Sequence, residues 1–131
     1  MTNPAQHNVL LLETNEDIHQ IISKMLPAFD LTLKRVTYIS DAELALRSLE
    51  RPSFIILGTG FTHDKILHFV HRIRLLSSLK DIPVILLIDD IDTSKIKAAL
   101  DAGISRYLAT TFLPGNLSNV IRDFGVSSGY V

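Results

Sequence analysis

The chain contains no cysteine, which excludes disulfides, thiolate catalysis and cysteine-ligated zinc. The cytosol is the expected compartment. Long apolar runs are also missing. The longest, Val9 to Leu12 and Pro83 to Ile88, are far too short to span a bilayer. Met1 to Asn8 lacks the basic start and extended apolar segment of a signal peptide. The net charge is only −1, and no stretch is dense enough in lysine and arginine to form a basic patch. Direct nucleic-acid contact through counterion release is therefore not expected, nor is membrane association. No serine sits in a nucleophile elbow and no histidine falls in a triad pattern, so the chain reads as a non-enzyme.

What is present is a hydrophobic fraction of 47% against 21% charged residues, the balance of a soluble globular protein. Its 131 residues fit one domain with one core. Val9-Leu10-Leu11-Leu12 is the short, continuous run of a strand covered on both faces. A helix comes next, with Ile18, Ile21, Ile22, Met25 and Leu26 on one side. Thr14 or Asn15 caps it, Glu16 and Asp17 suit its positive end, and Pro27 marks its exit. Leu31 to Ile39 alternates apolar and polar, as a strand nearer an edge does.

Ser40 or Asp41 is the expected cap of a second helix, striped with Ala42, Ala45, Leu46 and Leu49. Phe54 to Leu57 reads as the third strand. The third helix has Asp64 at its expected cap and an apolar face of Ile66, Phe69, Val70, Ile73 and Leu76. Pro83 opens the fourth strand, Val84 to Ile88. Asp92 or Thr93 caps a helix burying Ile96, Ala99 and Leu100 and stopping at Gly103. Ile104 to Leu108 is a fifth strand, and Leu117, Val120, Ile121 and Phe124 mark a last helix. Residues 1–124 form the expected domain, and 125–131 read as an exit tail or the start of a linker.

Five strands alternating with five helices imply right-handed crossovers and a doubly wound α/β sheet. In such sheets, ligands and chemistry gather at the carboxyl ends of the strands. Those ends are Glu13-Thr14, Gly58 to Phe61, Ile88 to Asp90 and Ala109 to Phe112.

With these segments in place, the chain resembles a response-regulator receiver domain over nearly all its length. Val9 to Glu16 matches the opening strand that normally ends in two acidic residues. Ile82-Pro83-Val84-Ile85-Leu86-Leu87 matches the strand normally ending in threonine or serine. Ala102 to Phe112 matches the segment normally ending in Lys-Pro-Phe or Lys-Pro-Tyr. The resemblance implies a flavodoxin-like (βα)5 fold, strand order 2-1-3-4-5, and a pocket in which an aspartate accepts a phosphoryl group beside magnesium.

That pocket is dismantled in this sequence. Phosphoryl transfer to a carboxylate needs the acceptor, a bridging metal and a cation for the developing charge. Gly58 stands at the acceptor position, and Leu57 to Thr62 contains no acid. Glu13 and Thr14 replace the paired metal ligands. Ile88 replaces the switch hydroxyl and Thr110 the lysine, with Thr111 in place of the proline. Tyr107 keeps the family's switch aromatic. Without a hydroxyl opposite, it reads either as a side chain closing the core edge or as a contact residue.

Other groupings favour ordinary readings. Asp89, Asp90 and Asp92 lack the glycine and distal glutamate of a calcium loop. His63, His68 and His71 lack a further clear ligand beyond Asp64. Gly58-Thr59-Gly60 lacks the lysine of a phosphate loop. No metal and no cofactor are expected.

The resemblance points instead to a surface. The face of the fourth helix, fifth strand and fifth helix would present Lys95, Lys97, Asp101, Arg106, Arg122 and Asp123 to a protein partner, an effector domain or a second copy. The expectation is a phosphorylation-independent pseudo-receiver domain, a protein-interaction module of bacterial two-component-type signalling or transcriptional regulation. The alternatives are a receiver phosphorylated at an unconventional acceptor, Thr59 or Thr14, or a small-molecule-binding regulatory domain.

Overall fold

The computed structural model describes residues 7–47 and 51–124, and in it the short apolar runs become five parallel strands. The elements in chain order are β1 (His7–Leu12), α1 (Glu16–Met25), β2 (Leu31–Val36), α2 (Ile39–Leu46) and β3 (Phe54–Leu57). They continue with α3 (His63–Arg74), β4 (Val84–Ile88), α4 (Thr93–Ala102), β5 (Arg106–Ala109) and α5 (Leu113–Asp123). The sheet order is β2-β1-β3-β4-β5, as the sequence pattern implies.

Successive side chains of a strand point to opposite faces, so the wholly apolar strands feed two cores. Leu10, Leu12, Ile55, Leu57, Val84 and Leu86 meet residues of α2, α3 and α4 on one face. Val9, Leu11, Phe54, Ile56, Ile85 and Leu87 meet α1 and α5 on the other. Each such side chain, fully buried, contributes about 1.5–3 kcal/mol relative to exposure. Register aligns the strand ends: Leu12 sits opposite Leu57, and Leu57 opposite Leu86.

Helix ends obey local chemistry. The Asn15 side chain accepts a 3.0 Å bond from the Ile18 amide and caps α1. Pro27 enters a 3-10 turn, Leu26–Phe29, closed by Asp30 in the left-handed region (φ 56). Thr62 caps α3, and Asp92 caps α4 by accepting from the Ser94 and Lys95 amides. Gly103 (φ 120) ends α4, and Arg74 grips it there. The guanidinium donates to the Gly103 carbonyl at 2.7 and 3.1 Å, and to the Leu79 and Lys80 carbonyls at 3.0 and 3.1 Å.

Several local expectations need correcting. β2 stops at Val36, and Ile39 opens α2 rather than closing the strand. Its apolar side chain packs against the core from the helix, a placement the same alternation allows. Tyr38 is the residue before α2, and its carbonyl accepts the Asp41 and Ala42 amides, so Ser40 and Asp41 lie inside the first turn. Asp64 likewise lies in the first turn of α3, not at its cap. Leu76 falls beyond the end of α3 and is exposed, while Leu79 fills the core. Leu100 is exposed as well, because α4 buries only the narrow stripe of Ile96 and Ala99. β5 begins at Arg106, with Ile104 buried in the preceding connection. Leu49 and the 125–131 tail lie outside the described residues.

Candidate functional site

β1 and β3 end side by side, so the loop that leaves Leu12 meets the loop that leaves Leu57. The Gly58 amide donates to the Leu12 carbonyl at 2.7 Å. A Cβ built at position 58 would fall inside the Glu13 carboxylate and 2.8 Å from that carbonyl oxygen. The glutamate carboxylate therefore fills the place into which a side chain at 58 would project. Glu13 is fully buried, and among the described residues it stands alone as a buried polar side chain.

A buried carboxylate is costly unless hydrogen-bonded. Here Oε1 accepts the Thr59 amide at 3.1 Å. Oε2 accepts the Asn15 amide at 3.0 Å and the Thr59 hydroxyl at 3.1 Å. These donors come from the β1–α1 and β3–α3 loops, so one side chain joins the two strand ends and the start of α1. The backbone of Glu13 is fixed too. Its amide donates to the Val36 carbonyl, and its carbonyl accepts Arg35 Nε at 3.1 Å.

Arg35 extends this frame. Its guanidinium also reaches the Thr14 carbonyl at 3.4 Å and the Glu16 carboxylate at 2.7 Å. Glu16 accepts from Gln20, Arg35 and His19, and these bonds hold its pKa down at about 2, Gln20 contributing most. The sequence pattern marks Asn15 only as a cap and Thr59 only as an alternative acceptor, and it does not mark Arg35. The available signal was size: an acid one methylene longer than aspartate, opposite a glycine on the neighbouring strand.

The other pocket positions have taken ordinary work. Thr14 is exposed, and its hydroxyl lies where a Cβ on Gly60 would project, at a φ of 90 that itself favours glycine. Ile88 packs against the core beneath α3 and α4. The Thr110 hydroxyl donates to Asp89 at 3.3 Å, and its amide donates to the Ile88 carbonyl, tying the β4 and β5 ends together. Tyr107 lies on edge strand β5, 44% exposed.

A receiver-type magnesium site does not fit these residues. The carboxylate of Glu13 is spent on protein donors, Gly58 offers no oxygen, and Thr14 contributes only a neutral hydroxyl. Asp92 caps α4, and its pKa is lowered, the Ser94 hydroxyl contributing most. Among the described residues no three His, Asp or Glu side chains are grouped to hold a metal ion. His68 and His71 are exposed on α3, and His63 lines a neighbouring cleft.

The expected interaction face is partly self-paired. Lys97 reaches Asp101 at 3.5 Å along α4, and Arg106 of β5 reaches Asp123 of α5 at 3.1 Å. Arg122 turns to the α1 side, its guanidinium 5.7 Å from the Phe29 ring centre. Lys95 lines the cleft beside β3 and β4 instead.

The fold has clear parallels among solved structures. The chain is similar to Vibrio cholerae chemotaxis protein CheY4 (TM-score 0.80, 20% identity, 92% of this chain and 99% of that one). It is similar to a receiver domain of a Clostridium thermocellum histidine kinase (TM-score 0.80, 20% identity, 90% and 96%). A third likeness is the receiver domain of the Pseudomonas aeruginosa sensor histidine kinase PA1611, whose structure has magnesium in the active-site cleft. There the TM-score is 0.74 and the identity 23%, over 92% and 99% of the two chains. No protein-family model and no curated protein sequence matches the chain. The fold is thus that of response-regulator receiver domains.

Proposed function

We propose that this chain is a regulatory domain of the receiver type that works without aspartyl phosphorylation, as a protein-interaction module in two-component-type signalling. The observation that carries the reading is the Glu13 carboxylate lodged against Gly58, where a receiver would place its acceptor. A carboxylate already accepting from three protein donors has little capacity left for magnesium or a phosphoryl group. Ile88 and Thr110 remove the hydroxyl switch and the cation that would bind and stabilise a phosphoryl group. The output then rests on surface contacts, to a partner, an effector domain or a second copy through α4, β5 and α5.

Thr59 supports the one competing reading, because its hydroxyl donates to the Glu13 carboxylate and a carboxylate can act as a base. Incubation with acetyl phosphate and magnesium, followed by intact mass, separates the two. The expected spectrum shows unmodified protein, for the native chain and for Gly58→Asp alike. A stoichiometric phosphoryl adduct overturns the proposal, and its stability in acid would distinguish threonine from a carboxylate.

A further inference from the structure

The carboxyl edge of the sheet holds a cleft that starts at Gly58 and Thr59 and runs between the ends of β3 and β4 and the first turns of α3 and α4. Its volume is about 180 Å³. Pockets for cofactor-sized ligands run to roughly 300–1,000 Å³, so this cleft suits a single inserted side chain. Ile66, Leu86 and Ile96 give it apolar walls, and three aspartates, Asp89, Asp90 and Asp92, line it with the basic side chains Lys95 and His63. The acidic rim and apolar interior match a lysine or arginine, whose stem is apolar and whose head is charged.

Large apolar side chains stand at the same edge. Ile91 is 73% exposed between two of the rim aspartates, and Phe112 is 81% exposed. The Thr110–Asp89 hydrogen bond joins their loops, each apolar residue lying two positions from the tied pair. Phe112 holds φ 57, a strained conformation for a bulky residue, which turns its ring outward while Leu113 enters the core. Exposed apolar groups beside a polar rim mark interaction surfaces.

We propose that this edge docks a basic segment of a partner protein. A lysine or arginine of that segment enters the cleft beneath Asp89 and Asp90, and an adjacent apolar residue covers Ile91 and Phe112. The proposal rests on the interaction-module reading and gives it a chemistry. A second copy is disfavoured, because a two-fold contact would set this acidic edge against itself.

Random peptides displayed on phage and panned on the intact protein provide the test, with affinities then measured for synthetic versions. Enriched peptides should pair Lys or Arg with a neighbouring apolar residue. Their Kd should weaken by about tenfold or more in Asp90→Asn and in Phe112→Ala, both at exposed positions, with melting temperatures confirming the fold. Acidic consensus peptides, unchanged binding to both variants, or no enrichment overturns the proposal. Peptides that bind both variants but lose binding to Arg106→Glu would place docking on the β5 and α5 face. That result overturns this inference while leaving the interaction module intact, whereas a phosphoryl adduct in the mass experiment would remove the module reading itself.

Discussion

Glu13 and Gly58 are a size-matched pair: the longer acid needs the missing side chain opposite it. Gly58→Ala should cost about 1–3 kcal/mol in urea unfolding, the usual penalty for overfilling a packed interior. In a Glu13→Ala background the same substitution should cost at least about 1 kcal/mol less, since contacting residues do not behave additively. Equal costs in the two backgrounds would contradict the geometry. The sequence by itself tells that Gly58, Ile88 and Thr110 carry no acid, no hydroxyl and no cation, respectively. The fate of Glu13 was not legible in it. Its residue type shows only that an acid stands there, and the folded chain is needed to show that Asn15 and Thr59 bind its carboxylate. Glu16 gives a separate expectation. Its folded pKa of about 2 lies below the ordinary 4.5, so its stabilising contribution is complete above pH 4.5 and fades as pH falls toward 2. The melting-temperature gap between the native chain and Glu16→Gln should therefore be widest near neutrality and close at low pH, and salt should shrink it.

At the scale of elements, Arg74 joins three pieces of the fold. It leaves the last turn of α3 to bind the carbonyl that ends α4 and two carbonyls of the loop before β4. Burial lowers its pKa, with Asp81 opposing the shift. Arg74→Met keeps much of the stem but abandons these acceptors, and denaturant unfolding should show a loss of about 1–3 kcal/mol. Unchanged stability would mean that the carbonyls are as well served by water. The inner strands were readable because both faces of the sheet are covered, which leaves Val9 to Leu12, Phe54 to Leu57 and Val84 to Ile88 wholly apolar. Boundaries were harder where one apolar residue suits two elements. Ile39 continues the β2 alternation, yet it packs equally well from the first turn of α2. The Lys97–Asp101 pair has helical spacing and could be read from sequence. The Arg106–Asp123 pair depends on α5 lying against β5 and could not.

At the scale of the whole molecule, a receiver-type fold brings the strand ends together around internal hydrogen bonds. The frame was legible as an alternation of strands and helices. The Glu13 network was not, because its side chains meet only after two crossovers bring the β1, β2 and β3 ends together. The consequence is a domain whose stability should be indifferent to magnesium. A receiver-type site with millimolar affinity would add about 1.4 kcal/mol at ten times its Kd, because a ligand bound only by the folded state stabilises it. That corresponds to a rise of several degrees in melting temperature for a domain of this size. Thermal unfolding with and without about 10 mM magnesium chloride, at matched ionic strength, tests the central claim most directly. Coincident curves are expected for the native chain. A magnesium-dependent rise of several degrees, absent with matched sodium chloride, would contradict the claim.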